Sequence, residues 1–162
     1  TTGDVLFKTN LVDQVKFMYA WIGSNYTKVE RTATWDYLQA FVDEARKQGL
    51  RIHAAINTFV GGNQIDGGTG LLYRDQSKAE WATQMNMQVG ITSVMNTSES
   101  TKFFNPAHPE VQTFLCDLLK DLAGYDLDGI FLDRGRFLNL QADFSEESRK
   151  QFEEYLDQMC SI

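Results

Sequence analysis

Asp128-Gly129-Ile130-Phe131-Leu132-Asp133 is the stretch on which the fold turns. An Asp-Gly pair, three apolar residues and a closing carboxylate form the pattern of a short strand buried on both faces, as strands of a parallel sheet are. The residues before it supply a helix. Asn105 as N-cap and Pro106 at the first helical position open it, and Val111, Phe114, Leu115, Leu118, Leu119 and Leu122 form its apolar face. Gly124 ends it. The same alternation recurs upstream. Leu38, Phe41, Val42 and Ala45 fall at i, i+3, i+4 and i+7, predicting a helix from about Trp35 to Gln48. Directly after it, the run from Arg51 to Val60 reads as a second central parallel strand. Beyond Asp133 a last helix begins near Ser145 or Glu146 and is expected to bury Phe152, Tyr155, Leu156 and Met159. Helix, strand, helix, strand, helix implies right-handed parallel crossovers and the α/β class.

Two regions lack such a period. Val5-Leu6-Phe7 and the run Val15 to Trp21 each fit a short strand or an ordered loop. Between the two strands, Gly61 to Phe104 suggests only a helical turn near Ser77 to Met85. Loops this long in compact domains are usually functional or disordered. Gly61-Gly62 and Gly67-Gly68-x-Gly70 would let the backbone turn tightly or approach a ligand, but they lack a phosphate-loop lysine and the GxGxxG spacing. The segment reads as a lid or substrate-lining loop over the C-terminal end of the sheet, more mobile than the helices it joins.

Composition excludes several classes of partner. In 162 residues, 43% hydrophobic and 12% aromatic content suffices for one packed core, and there is no repeat or low-complexity linker. A net charge of −7 opposes binding to nucleic acid or an anionic membrane surface. No apolar run approaches the roughly 20 residues of a membrane span, and Thr1-Thr2-Gly3 does not open a secretory signal, although one could have been removed upstream. Cys116, on an apolar helical face, and Cys160 read as structural, and His53 and His108 stand at no metal-ligand spacing. Neither a metal nor a cofactor is expected.

In parallel α/β folds, ligand sites form beyond the C-terminal ends of the strands. That rule selects Asn57, Thr58 and Phe59 from one strand, and Asp133, Arg134 and Arg136 from the other. A carboxylate between two guanidiniums would stay ionised, as a nucleophile or charge stabiliser requires. Asp133 could equally be a structural ion pair or a cap, and Asn57 a satisfied polar group at a strand end. His53 fits an interior packing position, whereas His108 could face a cleft or cover its turn. Aromatic planes accept the apolar faces of sugar rings, and Trp81, Tyr73 and Phe104, in or beside the long loop, are the stacking candidates. Trp35 is expected to pack its own helix.

The run Phe104-Asn105-Pro106-Ala107-His108-Pro109-Glu110-Val111, followed by Tyr125 to Asp133, resembles the bacterial glycosyl-hydrolase-like barrel proteins of "family ten", which are distinct from the xylanases of similar name. Phe41 to Leu50, leading into His53-Ala54 and Asn57, resembles the same family, so the likeness spans roughly residues 34–137. It implies a partial (β/α)8 TIM-type barrel with parallel strands, residues 1–162 being one segment of a catalytic domain truncated at both ends. A whole barrel of this kind takes about 250 residues. The resemblance places Asp133 where related barrels carry the retaining nucleophile, and maps Asn57, Asn105 and His108 onto family positions. Arg134-Gly135-Arg136-Phe137 departs from the family's acidic and aromatic continuation. The implied activity is hydrolysis of O-glycosidic bonds in an oligo- or polysaccharide, at a periplasmic, cell-surface or secreted location. The second carboxyl group would come from a later strand, about 5 to 5.5 Å from the first for retention or 6.5 to 9.5 Å for inversion, leaving this segment inactive alone. Open strand edges would pair with the remainder of its own barrel or with another copy. Two alternatives stand: a non-catalytic carbohydrate-binding barrel, and a self-contained three-layer α/β interaction module.

Overall fold

The computed structural model describes residues 3–31 and 34–160. In chain order its elements are β1 (Phe17–Ile22), β2 (Asn25–Glu30), α1 (Tyr37–Lys47), β3 (His53–Asn57), β4 (Val60–Asn63), α2 (Leu71–Arg74), β5 (Gln84–Met87), β6 (Gly90–Ser93), β7 (Thr101–Phe103), α3 (Pro109–Ala123), β8 (Gly129–Asp133) and α4 (Glu146–Cys160). The two apolar runs pair as expected. β3 lies parallel to β8, in register from His53 opposite Gly129 to Asn57 opposite Asp133. Because a parallel pair needs a long crossover, the chain between them can carry α3 across the sheet.

The described residues form four two-stranded sheets, three of them antiparallel, and not a closed barrel. The ambiguous N-terminal run is a hairpin, β1 with β2. The segment from Gly61 to Phe104 is not an irregular lid. It pairs β4 with β7 and β5 with β6, and neither pair joins the β3–β8 sheet.

Two apolar cores hold these parts together, and α3 serves both. Its Val111 and Leu115 pack with Leu72, Trp81, Ala82, Met85, Val94 and Phe104, so the long segment carries a core of its own. One turn further on, Leu118 and Leu122 pack with Val5, Phe7 and Ala54 beneath the parallel pair. The 3.6-residue period explains this: successive pairs at i and i+4 stay on one face while the helix passes from one core to the next. Inside the first region Lys102 is fully buried, its Nζ donating to the carbonyls of Val94 and Thr97 at 3.0 Å each.

Several sequence expectations are corrected. α3 starts at Pro109 with His108 as N-cap, not at Pro106 with Asn105. The Asn105 side chain is committed elsewhere: its Oδ1 accepts the Ala107 N–H at 2.9 Å and its Nδ2 donates to Ser145 Oγ at 3.0 Å. α1 starts two residues later than expected, because Asp36 caps it by accepting the Gln39 N–H at 3.1 Å. β8 is buried on neither face as fully as its apolar run suggested, Phe131 being 63% exposed and Leu132 51%. α4 forms where expected, but Phe152, Tyr155, Leu156 and Met159 remain exposed. Cys116 and Cys160 are exposed free thiols, so Cys116 faces away from the apolar stripe of α3.

Candidate functional site

The ends of β3 and β8 are brought together by a clamp at their beginnings. Arg46, in the last turn of α1, donates from Nε to Asp126 at 2.7 Å and from Nη1 to Asp128 at 2.8 Å. Asp128 also accepts the Ile52 N–H at 2.7 Å, and this backbone bond, followed by the Arg46 guanidinium, holds its carboxyl below the usual range. Gly129 lets the neighbouring strands stand close: a Cβ there would lie 2.7 Å from the His53 ring. With the strand starts fixed, the period of two brings His53, Ala55 and Asn57 onto one face of the pair, beside Gly129, Phe131 and Asp133.

At the far end Asn57 and Asp133 are therefore direct neighbours. The Thr58 N–H donates to the Asp133 carbonyl at 2.7 Å, extending the pairing one residue past the strand. The Asp133 side chain is exposed, and its Oδ1 accepts the Arg134 N–H at 2.8 Å. Arg134 has φ of +50°, a left-handed conformation that bends the chain sharply after the carboxylate. The Arg134 guanidinium extends to Thr101 Oγ1, 3.5 Å away at the start of β7. Arg136 is exposed in the following loop. Asn57, Asp133 and Arg134 thus share the C-terminal end of the pair.

Most of the remaining candidates have structural partners. Trp81 is 5% exposed, packs against Phe104 and Phe114, and donates from Nε1 to Glu110 at 2.9 Å. Phe104 is equally buried. Tyr73 lies over glycine backbone, since a Cβ on Gly68 would fall 2.2 Å from its ring and one on Gly62 3.0 Å. Those glycines make room for an aromatic side chain of this chain, and burial pushes the Tyr73 hydroxyl pKa up. His108 accepts the Glu110 N–H at 3.2 Å through Nδ1, and Asn105 is buried in the turn just before it. Trp35 is half exposed beside Tyr37.

One organising carboxylate escaped sequence reasoning. Asp143 accepts from Thr83 Oγ1 at 2.8 Å, the Gln84 N–H at 2.6 Å, the Ser145 N–H at 3.1 Å, Ser145 Oγ, and Ser148 Oγ at 2.6 Å. Burial raises its pKa, yet the hydrogen bonds, led by Ser145 and Ser148, outweigh burial and hold the carboxyl below its usual range. The spacing Asp143-x-Ser145-x-x-Ser148, directly before a helical period, was the available signal. Among the described residues no three His, Cys, Asp or Glu side chains are grouped to hold a metal ion, and no helix is long and apolar enough to cross a membrane.

An S-layer-related protein of Niallia circulans is 33% identical over 127 residues, covering 75% of this chain but 8% of that protein. The chain thus spans less than a tenth of the length of this curated relative. The family model described as glycosyl hydrolase-like 10 matches residues 2–160, taking in both parallel strands, α3 and the whole intervening segment. On that match the chain belongs to the glycosyl hydrolase-like 10 family.

Proposed function

We propose that this chain contributes part of a (β/α)8-barrel glycoside hydrolase that cleaves O-glycosidic bonds, with Asp133 as the nucleophile. One observation carries the reading: an amide, Asn57, and a carboxylate, Asp133, end neighbouring parallel strands side by side. Catalytic groups of barrel enzymes collect at that end of the strands. In this role the Asp133 carboxylate attacks the anomeric carbon and the aglycone oxygen departs with a proton from a second carboxyl group. That second acid comes from outside this chain. Asn57, Arg134 and Arg136 offer donors to sugar hydroxyls, whereas Trp81 and Asn105 serve packing. His108, as a helix cap, and Tyr73, over its glycines, remain candidate contacts at the rim.

The open face of the pair supports a larger assembly. Phe131, beside Asp133 on the sheet, and Phe152, Tyr155, Leu156 and Met159 on α4 leave apolar area in water. Covering such area is favourable by about 25 cal/mol per Å². Further strands of the same protein are the proposed cover, and self-association is what the isolated chain would substitute for them. The 162-residue chain alone is accordingly inactive.

The test uses the full-length protein with aryl glycosides and a 2-fluoro glycoside that traps a glycosyl-enzyme. Asp133→Asn lowers turnover at least about 10²-fold, and the trapped sugar maps to the Asp133 peptide. A trapped sugar on another residue removes Asp133 from the role. A second reading, carbohydrate binding without cleavage, is favoured by the amide of Asn57 where a paired carboxyl could have stood. It predicts saccharide binding by full-length protein with no hydrolysis.

A further inference from the structure

We infer that the aromatic face of the β1–β2 hairpin is an oligosaccharide-binding subsite centred on Trp21. Register decides which side chains share this face. Phe17 pairs with Glu30, Tyr19 with Lys28 and Trp21 with Tyr26, and directly paired residues project to the same side of an antiparallel ribbon. The other side carries Met18, Ala20, Ile22 and Val29, together with Thr27 and Asn25. One side is therefore aromatic and charged, the other aliphatic with two small polar residues.

The aromatic row is held from end to end. Trp21 lies against Tyr26, with ring centroids 5.3 Å apart, and Tyr26 is stacked on Tyr19 at 5.2 Å with 18° between the planes. The Tyr19 hydroxyl donates to Asp66 Oδ1, and Lys28 Nζ bonds the other carboxylate oxygen at 2.8 Å. The same Lys28 ammonium sits 4.0 Å above the Phe17 ring. Despite this support Trp21 is 70% exposed and Tyr26 59%. Trp21, resting on Tyr26 at the open end of the row, leaves an indole face in water on which a ligand can stack. Hydroxyl and carboxylate groups beside aromatic planes suit a ring with an apolar face and a polar rim, as a pyranose has.

Position agrees with chemistry. Asp66, the anchor of the row, belongs to the loop that follows β4, and β4 begins three residues after Asn57. β4 in turn pairs with β7, whose Thr101 receives the Arg134 side chain. The hairpin is thus tied to the structure that grows from the strand ends bearing Asn57 and Asp133. The choice of ligand class rests on the carbohydrate-active reading above; the built aromatic face does not.

The experiment titrates the chain with hexasaccharides of β-1,4-linked glucose and of β-1,4-linked N-acetylglucosamine, following the Trp21 indole N–H by NMR and affinity by calorimetry. At least one hexasaccharide shifts the Trp21 signal, and the double variant Trp21→Ala, Tyr26→Ala weakens binding at least about tenfold. Met18→Ser with Ile22→Ser, on the opposite side, leaves affinity unchanged. The inference is overturned if neither sugar shifts the signal, if the opposite-side variant weakens binding equally, or if the aromatic variant alters only molar mass in light scattering, which would mark a protein contact. Hydrolysis assays on full-length protein separate the two readings. A Trp21 shift without glycosidase activity keeps the subsite and removes the enzyme; activity without the shift does the reverse.

Discussion

Ile52 and Asp128 exchange two hydrogen bonds: the Ile52 N–H reaches the Asp128 carboxylate at 2.7 Å, and the Asp128 N–H reaches the Ile52 carbonyl at 2.9 Å. This exchange fixes the register that places Asn57 opposite Asp133 five residues later. Replacing Asp128 by Ala leaves the Ile52 N–H unanswered and frees Arg46 to pair with Asp126 alone. The urea midpoint falls, and amide exchange quickens along β3 and β8 while α3 keeps its protection. Uniform loss of protection in both would show that Asp128 acts on global stability and not on strand register.

Lys102 presents the opposite situation, a cation inside a core. Its ammonium supplies the Val94 and Thr97 carbonyls with donors, and burial holds its pKa below the ordinary lysine value of 10.5. Lys102→Met keeps the volume but orphans two acceptors, costing about 1–3 kcal/mol. The pH dependence has a definite sign. With the folded pKa depressed, the unfolded chain holds more protons between the folded value and 10.5, so stability gains with rising pH across that window. Denaturant melts should show this alkaline gain in the parent and not in Lys102→Met; equal slopes would mean that Lys102 is not buried as an ammonium.

How far these features could be read from sequence depended on whether a residue's role was local. β3 and β8 were legible as short apolar runs, and α1 and α3 through apolar residues that recur every three or four positions. The start of α3 differs from the sequence reading because the run Asn105-Pro106-x-His108-Pro109 offers two polar residues each followed by proline, and part of what commits the Asn105 side chain, its bond to Ser145, lies 40 residues away. The long middle segment was illegible because its strands hold three or four residues, too few to show alternation. Its glycines looked like room for a ligand, whereas Leu72 occupies that room at Gly61 and Tyr73 at Gly62 and Gly68. On α4 the period shows which side is apolar, but no period can say what covers it. The Asn57 and Asp133 neighbourhood was legible as two strand ends; their common register came from the clamp at Ile52 and Asp128.

Asp143 links the N-terminal turn of α4 to Thr83 and to the start of β5, and it does so as a carboxylate. Its folded pKa is lowered, so its contribution is complete above the ordinary carboxyl value of 3.8 and disappears as pH falls through the folded value. Asp143→Ala removes the acceptor of several partly buried donors and is expected to cost about 2–3 kcal/mol. Acid titrations followed by circular dichroism should show the parent gaining stability as pH rises through this range, with the gain absent in the variant. A variant that retains the parent's acid transition would assign that transition to other carboxylates.

Gly129 and His53 are register partners, and a Cβ on Gly129 would meet the imidazole carbon at 2.7 Å and its Nε2 at 3.1 Å. The first distance is too short for carbon atoms, so Gly129→Ala forces either the ring aside or the strands apart. His53 is exposed, which gives its ring somewhere to go; the strands, clamped through Ile52 and Asp128, have less freedom. The ring therefore yields first, and Gly129→Ala should cost about 1 kcal/mol, the low end of the range for overpacking. His53→Ala alone should be close to neutral, and His53→Ala combined with Gly129→Ala should recover most of the loss. The double-mutant cycle, measured by urea denaturation, is read in its coupling energy. Strong coupling places the conflict at the ring, whereas additive losses would mean that Gly129 is needed for its own backbone and that the fit of His53 plays no part in bringing Asp133 beside Asn57.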